Sequence, residues 1–265
     1  MQTDNPPSSS TEPIKFTIAT VTYNAAEFIE KTILSVAAQD YPYVEHLIID
    51  GNSTDKTLEH IHHYQERNSI AEIPHEIVCR TEPDDGLYDA MNKALRIASG
   101  HYILFLNAGD TLHSTTILSD LAKQIDPQNL PAVLYGHTDI VDSNGQFSAP
   151  RRLAPPERLS SASFKQGMLV CHQAFLANVD LAKDLFYDCQ YRFSADFDWC
   201  VRLMKHAECL GMTFLNSHMV ICNYLNEGLT TKNHRRSLKE RFVIMTHHYG
   251  WLSTVVRHIG FLFRQ

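Results

Sequence analysis

The chain has 265 residues, 44% of them hydrophobic, enough to bury one large α/β domain without requiring a second. Its formal charge of -7 excludes a surface built for bulk polyanion binding, so nucleic acid is not expected as a ligand. No apolar run approaches the ~20 residues that span a bilayer, and the six cysteines show neither a C-x-x-C pair nor zinc-ligand spacing, so reduced, mostly buried thiols in a cytoplasmic protein are expected.

Residues 1–14 are polar and rich in serine and proline, without a basic n-region or an apolar core, and are expected as a disordered tail rather than a secretory signal. The β-branched run 16–22 predicts a first strand. Asn24-Ala-Ala-Glu27 then has the pattern of an N-cap with its capping-box glutamate, opening a helix whose face carries Phe28, Ile29, Ile33, Val36 and Ala37 and which ends at Tyr41-Pro42. A second strand is expected at 46–50. Gly51-Asn52-Ser53-Thr54 is its turn, and Leu58, Ile61 and Tyr64 mark the next helix. A third strand covers 76–81, and after Pro83-Asp84-Asp85-Gly86 a helix covers 87–99 and stops at Gly100, read as a C′ residue. Residues 102–106 form a fourth, wholly apolar strand.

Further on, Gly136 and Asn144-Gly145 signal turns between short antiparallel strands in 133–147, and 151–166 reads as a loop. Ser194 can cap a helix over 196–206, 213–224 reads as a strand, and 233–248 as a helix. The organisation expected is a domain over 15–225 followed by a helical extension over 226–265. Four apolar strands alternating with helices predict a buried, mainly parallel sheet with right-handed crossovers. Ligands bind such sheets at the carboxyl ends of the strands, which draws attention to Asn24, Asp50, Asp84 and Asp110.

The turn Leu106-Asn107-Ala108-Gly109-Asp110 places an amide and a carboxylate where they could hold a hard divalent cation, with a diphosphate and waters completing the shell. The alternative is a plain turn in which Asp110 caps the next segment. In Ser194-Ala195-Asp196-Phe197-Asp198-Trp199 two acids start a helix. Either one can simply stabilise the helix N-terminus, by roughly 0.3 to 1 kcal/mol. In the catalytic reading, one takes the proton from an attacking hydroxyl. At spacing i,i+2 they face different sides, so one alone enters a shared cleft, and spacing does not choose between them.

The ordered motifs Thr20-Val-Thr-Tyr-Asn24, Ile49-Asp-Gly-Asn-Ser-Thr-Asp-Lys-Thr57, 106–110 and 196–203 resemble those of family 2 glycosyltransferases. The stretch 82–93 followed by Asn107-Ala-Gly-Asp110 is similar to bacterial colanic acid and other exopolysaccharide glycosyltransferases. The likeness runs from Phe16 to about Asn223, and more weakly through 226–230.

The resemblance implies a GT-A fold with a small antiparallel acceptor-side portion. It implies an inverting transfer from a nucleoside diphosphate sugar to a saccharide or polyprenyl-linked acceptor, with no covalent nucleophile. It places the nucleotide near Thr20, Thr22, Asp50 and Asp84, the diphosphate and a divalent metal, Mn or Mg, at Asn107 and Asp110, and the base at Asp196. Three positions depart from the family pattern. Paired aspartates are here Asp50-Gly51, the Asp-x-Asp turn is Asn107-Ala-Gly-Asp110, and Ala195 replaces a glutamate. A sugar nucleotidyltransferase is the competing enzyme class, but the glycine-rich basic loop expected of it after the first strand is absent from 22–27. An inactive nucleotide-sugar-binding relative is the third reading.

His172-Gln173 could hydrogen-bond a sugar hydroxyl, or form a satisfied core pair. Arg235, Arg236, Lys239 and Arg241 form a basic helix face able to meet a diphosphate or a lipid headgroup, or simply solvent. The segment 251–265 mixes large apolar residues with Arg257, His258 and Arg264. It can lie in a membrane interface, giving peripheral contact with the inner membrane, pack on the domain, or mediate a dimer.

Overall fold

A computed structural model describes residues 12–225 and 234–262. The expected tail falls almost wholly on residues 1–11, and these, with 226–233 and 263–265, lie outside the described residues. Ile14, placed in that tail by the sequence, is buried, and its carbonyl accepts the Tyr41 hydroxyl at 2.6 Å.

The first half alternates as expected: β1 (Phe16–Thr22), α1 (Ile29–Ala37), β2 (Val44–Asp50), α2 (Thr57–Asn68), β3 (Glu76–Thr81), α3 (Leu87–Ile97) and β4 (Tyr102–Phe105). β1 pairs in parallel with β2 on one side and β4 on the other, and β2 with β3. Every residue of β1, β2 and β4 is buried, so these strands read as apolar runs rather than alternating ones. Alternation survives in which face each side chain serves. Ala19, Val21, Leu47, Ile49, Ile103 and Phe105 meet α3, whereas Phe16, Ile18, Tyr102 and Leu104 pack towards the opposite face. On that opposite face Ile29 and Ile33 of α1 join Ile61 and Tyr64 of α2 over Ile48.

The second half continues the sheet through β5 (Thr111–Leu112), α4 (Ile117–Ala122), β6 (Val133–Val141), β7 (Phe147–Pro150), β8 (Phe175–Asn178), α5 (Val179–Ala182), α6 (Ala195–Cys209) and β9 (Phe214–Leu225). The strand order is β3-β2-β1-β4-β8-β6-β9-β5, with β7 also on β6. β8 runs antiparallel to both β4 and β6, and β9 returns parallel to β6 before pairing antiparallel with β5. Two helices follow, α7 (His234–Tyr249) and α8 (Trp251–Leu262), joined at Gly250 with φ +84°, a left-handed position that favours glycine.

Several local expectations change. Asn24 does not cap α1, whose first residue is five positions later. It takes φ +47°, and its Oδ1 accepts the Thr54 amide at 2.8 Å, tying the loop after β1 to the loop after β2. Gly100 is not a left-handed C′ residue; a Cβ there would lie 2.8 Å from the Lys15 carbonyl. Gly136 sits inside β6 rather than in a turn, where a Cβ would lie 2.4 Å from the Met219 carbonyl. Within the expected loop a 3-10 helix, Ser161–Gln166, forms against α6, with Ser161 Oγ donating to Glu208 at 2.6 Å. The cysteines are free thiols, but Cys189 and Cys209 are exposed.

Candidate active site

In sequence the chain moves from β1 to β2 and β3 on one side, then to β4 on the other, so the switch point of the parallel sheet lies between β1 and β4. Loops leaving a switch point diverge and open a crevice at the carboxyl ends. Ala19 stands opposite Phe105, which brings Thr22 at the end of β1 beside the turn that starts at Asn107. That crevice collects unused hydrogen-bonding capacity. Among the described residues five buried side-chain atoms lack a partner, and Thr22 Oγ1 and Asn107 Oδ1 are two of them. Buried polar atoms without partners are costly, about 1–3 kcal/mol each, and so point to a ligand's place.

The opposite wall comes from α6. Its first turn carries both acids, but they diverge. Asp198 points into structure: Oδ1 meets His248 Nε2 at 2.7 Å and Oδ2 accepts Arg202 Nε at 2.6 Å. Asp196 faces the crevice. Its Oδ1 accepts the Tyr88 hydroxyl at 3.1 Å, and its Oδ2 lies 3.3 Å from His172 Nδ1. His172 Nε2 then lies 3.3 Å from the Asn107 amide nitrogen. A proton on Nδ1 satisfies both contacts, since Nδ1–H donates to the carboxylate and Nε2 accepts from the amide. Tyr88, Asp196, His172 and Asn107 thus form one chain from α3 through α6 to the turn after β4.

Burial pushes Asp196 upward, but the hydrogen bond from His172 and the charge of Arg241 pull it below the ordinary carboxylate value. It is therefore ionised at neutral pH and can accept a proton. Burial, and then the Asp196 charge, raise Tyr88 well above its ordinary value, so it stays a donor. Arg241, on α7, is the third place where capacity is unused: its Nε is buried without a partner. Ser237, one turn earlier, bonds Ser194 at 2.9 Å, which seats this face of α7 beside the start of α6.

Asp110 is held at both carboxylate oxygens. It is 4% exposed, Oδ1 accepts the Leu225 amide at 3.0 Å, and Oδ2 accepts Gln173 Nε2 at 2.9 Å. Burial raises it to about 6 despite these bonds. Among the described residues no group of three His, Cys, Asp or Glu side chains could hold a metal ion. The Asp110 carboxylate is engaged once at each oxygen and stands beside a neutral amide, a sparse donor set for a divalent cation. Asp110 clamps β9 and the 3-10 turn His172–Ala174 to the turn after β4.

The nucleotide-side residues separate in the same way. Thr20 is turned into the core, where Oγ1 meets His46 Nε2 at 3.0 Å, so its hydroxyl is not offered to a ligand. Asp50 is fully buried and accepts both the amide and the hydroxyl of Ser53, organising the loop after β2 from within. Thr22 and Asn107 remain at the crevice. So does half-buried Asp84, whose Oδ1 accepts the Gly86 amide at 2.9 Å while Oδ2 lies 2.5 Å from where a Cβ on Gly51 would be. Tyr23, 63% exposed, borders the same spot.

Tyr88 lies in the stretch 82–93 and Arg241 in the basic face of the late helix, but neither could be tied to Asp196 from sequence, because each reaches it from a separate element. His172-Gln173 carried a signal as polar residues after an apolar run, but only the fold shows that His172 reaches Asp196 and Gln173 reaches Asp110.

The model of the family described as Glycosyl transferase family 2 matches residues 17–186. The PGL/p-HBAD biosynthesis glycosyltransferase of Mycobacterium tuberculosis is 27% identical over 218 residues, covering 80% of this chain and 77% of the relative. Among solved structures, S. aureus TarS 1-349 in complex with UDP-GlcNAc superposes with a TM-score of 0.67 at 18% identity, over 94% of this chain and 73% of that one. The mannosyltransferase of Pyrobaculum calidifontis in complex with GDP-Man and Mn2+ gives 0.62 at 16% identity, over 93% and 74%.

Proposed function

This chain belongs to glycosyl transferase family 2, and on that premise we propose that it moves a sugar from a nucleoside diphosphate donor to a saccharide or lipid-linked saccharide hydroxyl, with inversion, in bacterial surface polysaccharide biosynthesis. It is a glycosyltransferase with the GT-A α/β fold. The chain Tyr88–Asp196–His172–Asn107, which joins an ionised carboxylate to the mouth of the switch point, is the observation that carries the reading.

In this reading the nucleoside lies against Thr22, Tyr23 and Asp84, and the diphosphate points towards the Asn107 turn. Asp196 takes the acceptor's hydroxyl proton as that oxygen attacks the anomeric carbon opposite the diphosphate. The new C–O bond forms as the bond to the diphosphate breaks, which inverts the centre without a covalent intermediate. Tyr88 and His172 hold the carboxylate in place. Arg241 brings its cation to the same wall, where charge develops on the leaving group. The Pyrobaculum relative is seen with Mn2+ and its donor. Asp110 is already engaged by Leu225 and Gln173, and no step is assigned to a metal.

Asp196→Asn tests the proposal. It should leave nucleotide affinity within about twofold while lowering transfer by roughly 10²–10⁴-fold, the usual range for a lost general base. Turnover close to wild type would take the base role away from Asp196.

A further inference from the structure

We propose that α8 and the outer face of α7 form a docking surface for an anionic phospholipid bilayer and lie in its headgroup plane. Thirteen large apolar side chains are exposed among the described residues, and six of them fall within 234–262: Leu238, Val243, Trp251, Leu252, Val256 and Ile259. On α8, Leu252, Val256 and Ile259 stand at i, i+4 and i+7, one stripe of the helix, and Trp251 is exposed at the helix start. The opposite side of α8 is seated on the protein, where Thr254 is fully buried and the His258 ring meets Phe242 of α7 at 4.9 Å. The stripe is therefore outward by construction, and no protein element among the described residues covers it.

Charge selects the occupant. The chain as a whole is acidic, yet residues 234–265 hold six of its 23 basic residues and a single acid, Glu240. Arg235, Arg236, Lys239 and Arg257 are exposed. Glu240 is engaged elsewhere, accepting the amides of Arg192 and Phe193 at 3.0 and 2.8 Å. Apolar side chains flanked by cations match the interface of a bilayer with anionic headgroups. A second copy of the chain fits worse, since an isologous contact would set the same cations against each other. Spanning is excluded for this helix: its 12 residues reach about 18 Å against the ~30 Å of a hydrocarbon core, and no described helix is long and apolar enough to cross.

The inner face of α7 meets the start of α6 through Ser237 and Ser194. The proposed surface therefore lies about one helix diameter, ~10 Å, from the crevice. The proposal needs no assumption about the transfer reaction, because its test measures binding alone.

The full chain would be co-sedimented with vesicles of phosphatidylcholine and of phosphatidylcholine mixed with phosphatidylglycerol, at low and high salt. Tighter binding to the mixture, weakened by salt, is expected. Arg235→Gln, Arg236→Gln and Lys239→Gln together should weaken it ~100-fold, about fivefold per cation. Leu252→Gln, Val256→Gln and Ile259→Gln together should abolish it with the melting temperature unchanged. Should that triple variant melt early, Trp251→Ser replaces it and is read the same way. Equal binding by wild type and variants, or no binding to either vesicle, overturns the proposal. So does a concentration-dependent dimer in light scattering that the apolar variant dissolves, which would assign the stripe to self-association.

Discussion

A glycine and an aspartate 33 residues apart occupy one space. Gly51 leaves room for this: the carboxylate of Asp84 lies where a side chain at 51 would stand. An acid from beyond β3 thus reaches the carboxyl end of β2. Gly51 is needed for that approach and not for its backbone, which is not left-handed. Gly51→Ala should push Asp84 out and weaken nucleoside diphosphate binding by about 10- to 100-fold, the worth of a hydrogen bond to a charged group. Calorimetry on Gly51→Ala, Asp84→Ala and the double variant checks this. The double should bind no worse than either single, and additive losses would separate the two residues.

Elements meet at Asp110, where the turn after β4, the end of β9 and the 3-10 turn His172–Ala174 are joined by one carboxylate. Its removal is then an injury to assembly. Asp110→Ala should lower stability by about 1–3 kcal/mol for the amide groups it strands, measured by urea unfolding, while leaving any Mn2+ dependence of nucleotide binding as in wild type. Loss of that dependence with stability intact would restore Asp110 to a metal. α6 and α7 are joined in a comparable way: Glu240 receives the amides just before α6, and His248 reaches Asp198. The second acid of the pair is therefore held by a helix pair, and the first is left for the crevice.

Across the whole molecule, two buried groups act on stability with opposite signs. Burial, and then His75, lower His46 to about 3, so between about 3 and 6.5 the unfolded chain binds a proton that the folded chain refuses, and stability falls as pH drops through that window. Asp110, raised to about 6, does the reverse: from about 6 down to 4 the folded state binds the extra proton, and stability rises as pH falls. His46→Gln removes the first and leaves the second. The stability difference between wild type and this variant should therefore shrink as urea midpoints are taken from pH 7 to pH 4, and a constant difference would remove His46 as an acid-labile element.

Much of the fold was legible from local pattern. Strand length, apolar runs and turn residues located β1 to β4 and their helices to within a few residues, because burial in a parallel sheet imposes continuous apolar strands whatever surrounds them. The same logic drew attention to the carboxyl ends of the strands and to Asn24, Asp50, Asp84 and Asp110, while Thr22 came from the family resemblance and Asn107 from the turn motif. What neighbours do to a side chain was not legible. Thr20 turns to His46, Asp50 closes on Ser53, Asp110 is taken by Leu225 and Gln173, and Asp196 parts from Asp198, all through contacts between residues far apart in the chain. Composition and periodicity by themselves determined an α/β chain with acids at its strand ends. Which acid stays open to a ligand was decided only by tertiary structure, since a carboxylate's availability depends on the donors that packing brings to it, and sequence spacing carries no record of those.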